Sequence, residues 1–100
     1  MSWWIGLEDD DISINVTYNY SPMYFDAFEA DNGIRCIDGL LGSEAAPMVK
    51  HAYQAMLDNP SKYEAMEPDN GWGDYNGAIG VLLKIYQWCI EYPDMKLYVH

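Results

Sequence analysis

Residues 75–93 read YNGAIGVLLKIYQWCIEYP, and this stretch decides the fold. Its small and polar residues recur at spacings of three and four, so they form one stripe on an otherwise apolar α-helix. Pro93 cannot continue a helix, and we therefore expect the helix to end near Tyr92. The stripe consists of Gly77, Gly80, Lys84, Gln87 and Glu91. A helix with so little polar surface belongs at the centre of the fold.

Two segments near the N-terminus alternate apolar and polar residues, as half-buried strands do. Residues 3–7 carry apolar side chains at odd positions, and residues 12–18 carry them at even positions. The acidic stretch between them has the length of a hairpin loop, so the sequence predicts an antiparallel hairpin. Residues 95–100, MKLYVH, alternate in the same way and predict a closing strand.

Serine and proline residues mark further helix starts. Ser21 precedes Pro22, which predicts a helix that begins there, runs to about Ala30 and is stopped by DNG at residues 31–33. Ser43 is predicted to cap a second helix, in which apolar residues recur at three and four.

Ser61 and Glu64 fit a capping box, which predicts one short helical turn that ends by Pro68. Residues 33–42 stay unassigned, because a short apolar run bounded by glycines fits a strand, a helical turn or a packed loop. The whole pattern predicts an α+β fold. A small antiparallel sheet, made of the N-terminal hairpin and the C-terminal strand, packs against two or three helices.

The chain is strongly acidic. It has 100 residues, of which 16 are Asp or Glu and 5 are Lys or Arg, with a formal net charge of -11. This length and an apolar content of 50% support a single domain, residues 1–100. The charge repels phosphate, so direct nucleic-acid binding is not expected. It attracts basic surfaces, including one that normally holds nucleic acid, although solubility alone also accounts for an acidic surface.

The cysteines, the apolar stretches and the N-terminus predict where in the cell the protein is located. Cys36 and Cys89 lie far apart without the neighbours of a metal or redox motif, so we interpret both as buried thiols in a reducing cytoplasm. No stretch approaches the roughly eighteen apolar residues of a membrane span. The N-terminus also lacks the basic and apolar regions of an export signal.

The sequence offers no catalytic constellation. A nucleophilic triad needs an oriented histidine, but His51 lies beside the apolar stripe of its helix and His100 is the last residue, where we expect fraying. No two carboxylates are singled out as an acid–base pair, and Asp9, Asp10 and Asp11 lack the alternating spacing of a calcium loop. We therefore expect a non-enzymatic protein without metal or cofactor.

Residues 63–77, YEAMEPDNGWGDYNG, combine turn-forming residues with large aromatic ones. Together with the tyrosines at the end of the second strand, they form a candidate partner-binding surface. In this interpretation rigid aromatic rings anchor a partner and carboxylates attract it. The candidate residues are Tyr20, Tyr24, Glu64, Glu67, Asp69, Asn70, Trp72, Asp74 and Tyr75.

A purely mechanical role is the alternative for the same segment. Gly71 and Gly73 then permit a tight approach of the chain, and Trp72 fills the bottom of the core. Asp74 or Asn76 caps the main helix.

Two motifs resemble a family of small proteins encoded by tailed bacteriophages. They are NYSPM at residues 19–23 and YEAMEPDNGWGDY at residues 63–75, followed by the leucine-rich helix that ends in Pro93. The likeness extends from about Val16 onward, and its most specific part is the PxNGWGxY run. It implies a phage origin and a host-cytoplasmic setting, and it brings no catalytic residues. The N-terminal SWWIGLEDDD lies outside it.

Three functions follow as hypotheses. The favoured one is an acidic phage accessory protein that binds and inhibits a host protein with a basic surface, such as a nucleic-acid-binding defence component, in the manner of a DNA mimic or an anti-CRISPR. The second is a small-molecule binder in which Trp72 and the tyrosines stack on a nucleotide-like ligand. The third is a structural or assembly protein of the phage particle. None of the three involves direct contact with nucleic acid or membrane.

Overall fold

The computed structural model describes residues 1–8, 11–69, 71 and 73–100. In these residues a three-stranded antiparallel sheet packs against helices, which confirms the predicted α+β fold. The strands are β1 (Ser2–Leu7), β2 (Ser13–Thr17) and β3 (Leu97–Val99). The α-helices are α1 (Ser21–Phe28), α2 (Gly42–Asp58), α3 (Pro60–Glu64) and α4 (Tyr75–Glu91).

The sheet has the order β2-β1-β3, with β1 antiparallel to both neighbours. The predicted hairpin is confirmed: Ile5 pairs with Ile14, and the Leu7 amide donates to the Ile12 carbonyl at 3.2 Å to close the ladder. The predicted closing strand is also confirmed, since Ile5 pairs with Val99 on its other side. The odd-numbered apolar side chains of β1 face the core: Trp3, Ile5 and Leu7 are all buried.

Helix α4 lies at the centre of the packing, as expected, and contacts both α2 and α3. It ends at Glu91, next to the predicted end. Its buried residues recur at spacings of three and four: Tyr75, Ala78, Leu82, Ile85, Trp88 and Cys89. Four members of the predicted stripe are exposed, namely Gly80, Lys84, Gln87 and Glu91. None of the described helices is long and apolar enough to cross a membrane.

The predicted cap at Ser21 is wrong. A 3₁₀ helix, Tyr18–Tyr20, leads directly into α1, so Ser21 is already helical and its hydroxyl donates to the Tyr18 carbonyl at 2.6 Å. Pro22 does lie in the first turn. The helix ends at Phe28, earlier than expected, because Glu29 adopts the left-handed conformation with φ 52°.

The predicted caps of α2 and α3 are also wrong, because the tertiary structure supplies other partners. The Ser43 amide donates to the Pro93 carbonyl at 3.0 Å. The Glu44 carboxylate accepts from the Leu41 amide at 2.9 Å and so stabilises the first turn of α2. Helix α3 begins at Pro60, which presets the first helical φ, so Ser61 lies inside the helix and its capping box does not form.

Of the unassigned residues 33–42, Gly33–Ile37 form a 3₁₀ helix, Asp38 and Gly39 form a turn in which Gly39 has φ 79°, and Leu40 and Leu41 run along β3 before α2 begins. The Gly39 amide donates to the Leu97 carbonyl, and the Leu97 amide donates to the Leu40 carbonyl, each at 2.8 Å. Leu41 forms a further bridge with Lys96. This stretch therefore covers the outer edge of β3.

Candidate functional site

The two predicted halves of the candidate surface meet in the structure. The ring of Tyr20 lies against Gly73, so closely that a β-carbon on that glycine would be 2.7 Å from Tyr20 Cε1. Its hydroxyl lies over Gly77 at the start of α4. Burial raises the pKa of Tyr20, and a backbone hydrogen bond from Asp74 lowers it in part. The end of the hairpin is thus packed onto the loop before α4.

The tyrosines themselves are core residues, which corrects their place on a contact surface. Tyr24 is fully buried and donates to the Ala78 carbonyl at 3.0 Å. Tyr75 is 9% exposed and donates to the Met56 carbonyl. Burial raises the pKa of both phenols. These two rings hold α4 against α1 and α2. Because Tyr20, Tyr24 and Tyr75 are all buried, none of them is free to stack on a flat ligand.

The predicted carboxylates all lie at the surface. Glu64, Glu67, Asp69 and Asp74 are exposed. Two of them also hold the loop: Glu67 accepts from the Tyr75 amide at 3.0 Å, and Asp74 caps α4 by accepting from the Gly77 amide at 2.7 Å. The predicted Asp74 cap is therefore confirmed. Asn70 and Trp72 lie outside the described residues.

Gly73→Val is expected to destabilise the protein by about 1–3 kcal/mol, because Gly73 has φ 102° and Tyr20 fills the space of a side chain. Gly71→Val is the comparison, because Gly71 has φ 75° but open space around it. This variant has the backbone strain without a steric clash, so its loss of unfolding free energy should be smaller. Urea unfolding measures both variants. Equal losses of unfolding free energy in the two variants would show that the clash with Tyr20 adds nothing to the cost of Gly73→Val.

The structure adds two carboxylates that the sequence analysis missed, Asp26 of α1 and Glu29 directly after that helix. The Tyr63 hydroxyl donates to Asp26 at 2.6 Å, and Lys62 pairs with the same carboxylate at 2.8 Å. The Lys62 contact, then Tyr63, lowers the pKa of Asp26. Burial, then Asp26 and Glu29, raise the pKa of Tyr63. The available sequence signal was the spacing of three between Asp26 and Glu29 within the helix predicted to run to about Ala30, although in the structure Glu29 is the left-handed residue that ends α1.

We call the resulting group the acidic face. It is formed where α1 and α3 meet and along the loop that leads to α4. Its members are Asp26, Glu29, Glu64, Glu67, Asp69 and Asp74. Lys62 is the cationic group paired with it among the described residues, and the His51 ring lies 3.7 Å from Glu29.

A groove of about 670 Å³ lies between β2 and the start of α4. Its walls include Asn15, Val16, Thr17, Tyr20, Gly73 and Val81. The sequence analysis missed this groove, since its walls come from four separate segments of the chain. It reaches the C-terminal half of β2 at Asn15–Thr17 and the start of β1 at Ser2.

The last group of residues comprises the possible metal ligands, the thiols and the histidines in the part of the chain that the structure describes. No three His, Cys, Asp or Glu side chains are grouped there as metal ligands. The buried Cys89 has its thiol pKa raised to about 11 by burial, which opposes formation of a thiolate. His100 is held more firmly than expected, because its amide donates to the Trp4 carbonyl at 2.8 Å.

Comparison of the chain with models of known protein families, with curated proteins and with solved structures found no match.

Proposed function

We propose that the protein is a non-enzymatic phage accessory protein that binds and inhibits a basic host protein in the host cytoplasm. The observation that carries this proposal is the lack of counter-charge on its surface. Fourteen of the 16 carboxylates lie in the described residues, and all of these except Asp26 are exposed. Within the same residues, Asp26 is the one carboxylate with a lysine or arginine partner. The remaining charge is available to attract a basic surface.

The acidic face is the favoured contact, because several of its carboxylates are held in position. Glu67 is fixed by the Tyr75 amide, Asp74 by the Gly77 amide and Asp26 by Tyr63. Ordered carboxylates lose less side-chain entropy when a partner binds than mobile ones do. A nucleic-acid-binding protein suits such a set of negative charges, since its own site is built to hold phosphates.

The test is displacement of proteins from DNA. A bacterial extract is bound to DNA-cellulose, and the purified protein is added at low salt. We expect it to release a specific basic protein, and we expect its association with that protein to weaken at least about tenfold between roughly 50 and 300 mM salt, as the Debye length shortens.

Matched charge variants locate the contact. Glu64→Gln, Glu67→Gln and Asp69→Asn together remove three charges from the acidic face, and glutamine at 67 keeps an acceptor for Tyr75. The control removes three charges elsewhere, by Asp9→Asn, Asp10→Asn and Asp11→Asn. The first set should abolish release and the second should weaken it only slightly. Release that survives both sets and ignores salt would refute the proposal.

A further inference from the structure

The two edges of the sheet differ. The outer edge of β3 is covered by residues 38–41, through the backbone bonds of Gly39 and Leu40 to Leu97. The Asp38 carboxylate also accepts from the Val99 amide at 2.8 Å. The described residues place no strand beside β2 other than β1. β2 is therefore the open edge.

The ladder shows which backbone groups of β2 point outward. The amides of Leu7 and Tyr18 bond to the carbonyls of Ile12 and Met1, so the even-numbered residues of this strand face β1. Antiparallel strands alternate, and the backbone groups of Ser13, Asn15 and Thr17 must face away from β1. In the described residues, the amides of these three residues and the carbonyls of Ser13 and Asn15 bond to no other backbone group, whereas the Thr17 carbonyl opens the 3₁₀ helix Tyr18–Tyr20. The edge therefore presents three donors and two acceptors at strand spacing.

The groove along this edge suits an extended chain. Val16 and Val81 supply apolar wall on the core side, while Asn15 and Thr17 supply polar wall at the rim. A strand added to β2 would point alternate side chains into the groove and the others toward solvent.

Charge decides between the possible occupants. The described lining of the groove includes no Lys, Arg or His side chain, and the only cation there is the amino group of Met1. The exposed Asp74 directly follows Gly73 of this lining. A second copy of the chain would bring another net charge of -11 to the same edge and be repelled. A basic segment would be attracted.

We propose that the open edge of β2 binds an extended basic segment of the partner as a fourth strand, with small apolar side chains turned into the groove. This inference rests on the proposed function and names the form in which the partner is recognised. Backbone pairing gives the affinity, and the alternation of basic and apolar residues gives the selectivity.

The probe is an acetylated and amidated hexapeptide that alternates lysine and valine, titrated into isotope-labelled protein. We expect slower hydrogen exchange at the amides of Ser13, Asn15 and Thr17, and no change at Leu97, whose amide is already bonded. The same peptide with glutamate in place of lysine should not bind. A version with N-methyl groups on the residues that donate to β2 should bind at least about tenfold more weakly.

Thr17→Pro is the matched test on the protein. Thr17 has φ -64° and follows a strand residue, so proline fits the backbone and removes only the outward amide and the bond from Asn19 to the Thr17 hydroxyl. Thr17→Ala removes the same hydroxyl but keeps the amide. The peptide should bind Thr17→Pro at least about tenfold more weakly than wild type, and Thr17→Ala within about threefold.

Equal binding to both variants, or no effect of N-methylation, would overturn strand addition. A wild-type protein that sediments as a dimer while Thr17→Pro is a monomer would assign the edge to a second copy instead. If the peptide fails to protect β2 while the protein still displaces a protein from DNA, only this inference is wrong. If the peptide pairs with β2 but nothing is displaced from DNA, the proposed function is wrong and the edge site stands.

Discussion

Gly42→Ala is expected to destabilise the protein by about 3 kcal/mol or more, although the change adds one methyl group. Gly42 opens α2 where that helix crosses the end of α4. A β-carbon there would lie 2.6 Å from the Tyr92 carbonyl oxygen and 3.1 Å from Cys89 Cα. Both are backbone atoms, which cannot rotate away as a side chain would, so the cost falls at or above the upper end of that for an overpacked core.

Urea unfolding followed by circular dichroism measures this loss. Because the β-carbon itself collides, Gly42→Ala should lose most of the unfolding free energy that Gly42→Val loses. Gly80→Ala is the control, because Gly80 is an exposed residue of α4 with open space around it. That variant should gain about 0.5–1 kcal/mol from helix propensity. A stable Gly42→Ala protein would show that α2 and α4 are not packed as described.

Tyr24→Ala is expected to cost about 3–5 kcal/mol, as for other large aromatic residues in a core. The Tyr24 ring is fully buried and makes edge-on contacts with Tyr20 at 5.8 Å and with Phe28 at 6.2 Å between ring centroids. Tyr24→Phe keeps these contacts and loses the bond to the Ala78 carbonyl, so it should cost only about 1 kcal/mol.

Thermal and urea unfolding of both variants test this ranking. Phe25→Ala is the control from the next position of α1, where the side chain is 48% exposed, and it should lose about 1 kcal/mol or less. A Tyr24→Ala protein that kept its stability and lost only partner binding would return Tyr24 to the contact surface.

The tyrosines show why the candidate site was only partly predictable. A tyrosine has an apolar ring and a polar hydroxyl, so its sequence context is the same whether it lies in a core or at an interface. Tyr24 and Tyr75 are buried because a backbone carbonyl of a distant segment accepts each hydroxyl. The carboxylates were easier to place, because an unpaired charge stays in water at almost any position of the chain.

The sequence by itself determined what depends on local periodicity. Alternation over β1 and β2 and the three-and-four spacing of α4 specify which faces must leave water, and the structure follows them. The Asp74 cap is also local, because its acceptor and the Gly77 amide are three residues apart.

Only the tertiary structure decided the features whose partners are far apart in the chain. Helix α1 begins at the predicted Ser21 but without the predicted cap, and α2 and α3 each begin one residue before the predicted serine, because neighbouring backbone or a proline took over the capping role. Residues 38–41 lie along β3 because that strand offers them backbone partners. The same contacts leave β2 as the open edge and bring Asp26 beside Tyr63. A pattern of hydrophobic residues specifies which side of an element is buried, but not which distant group will lie against it.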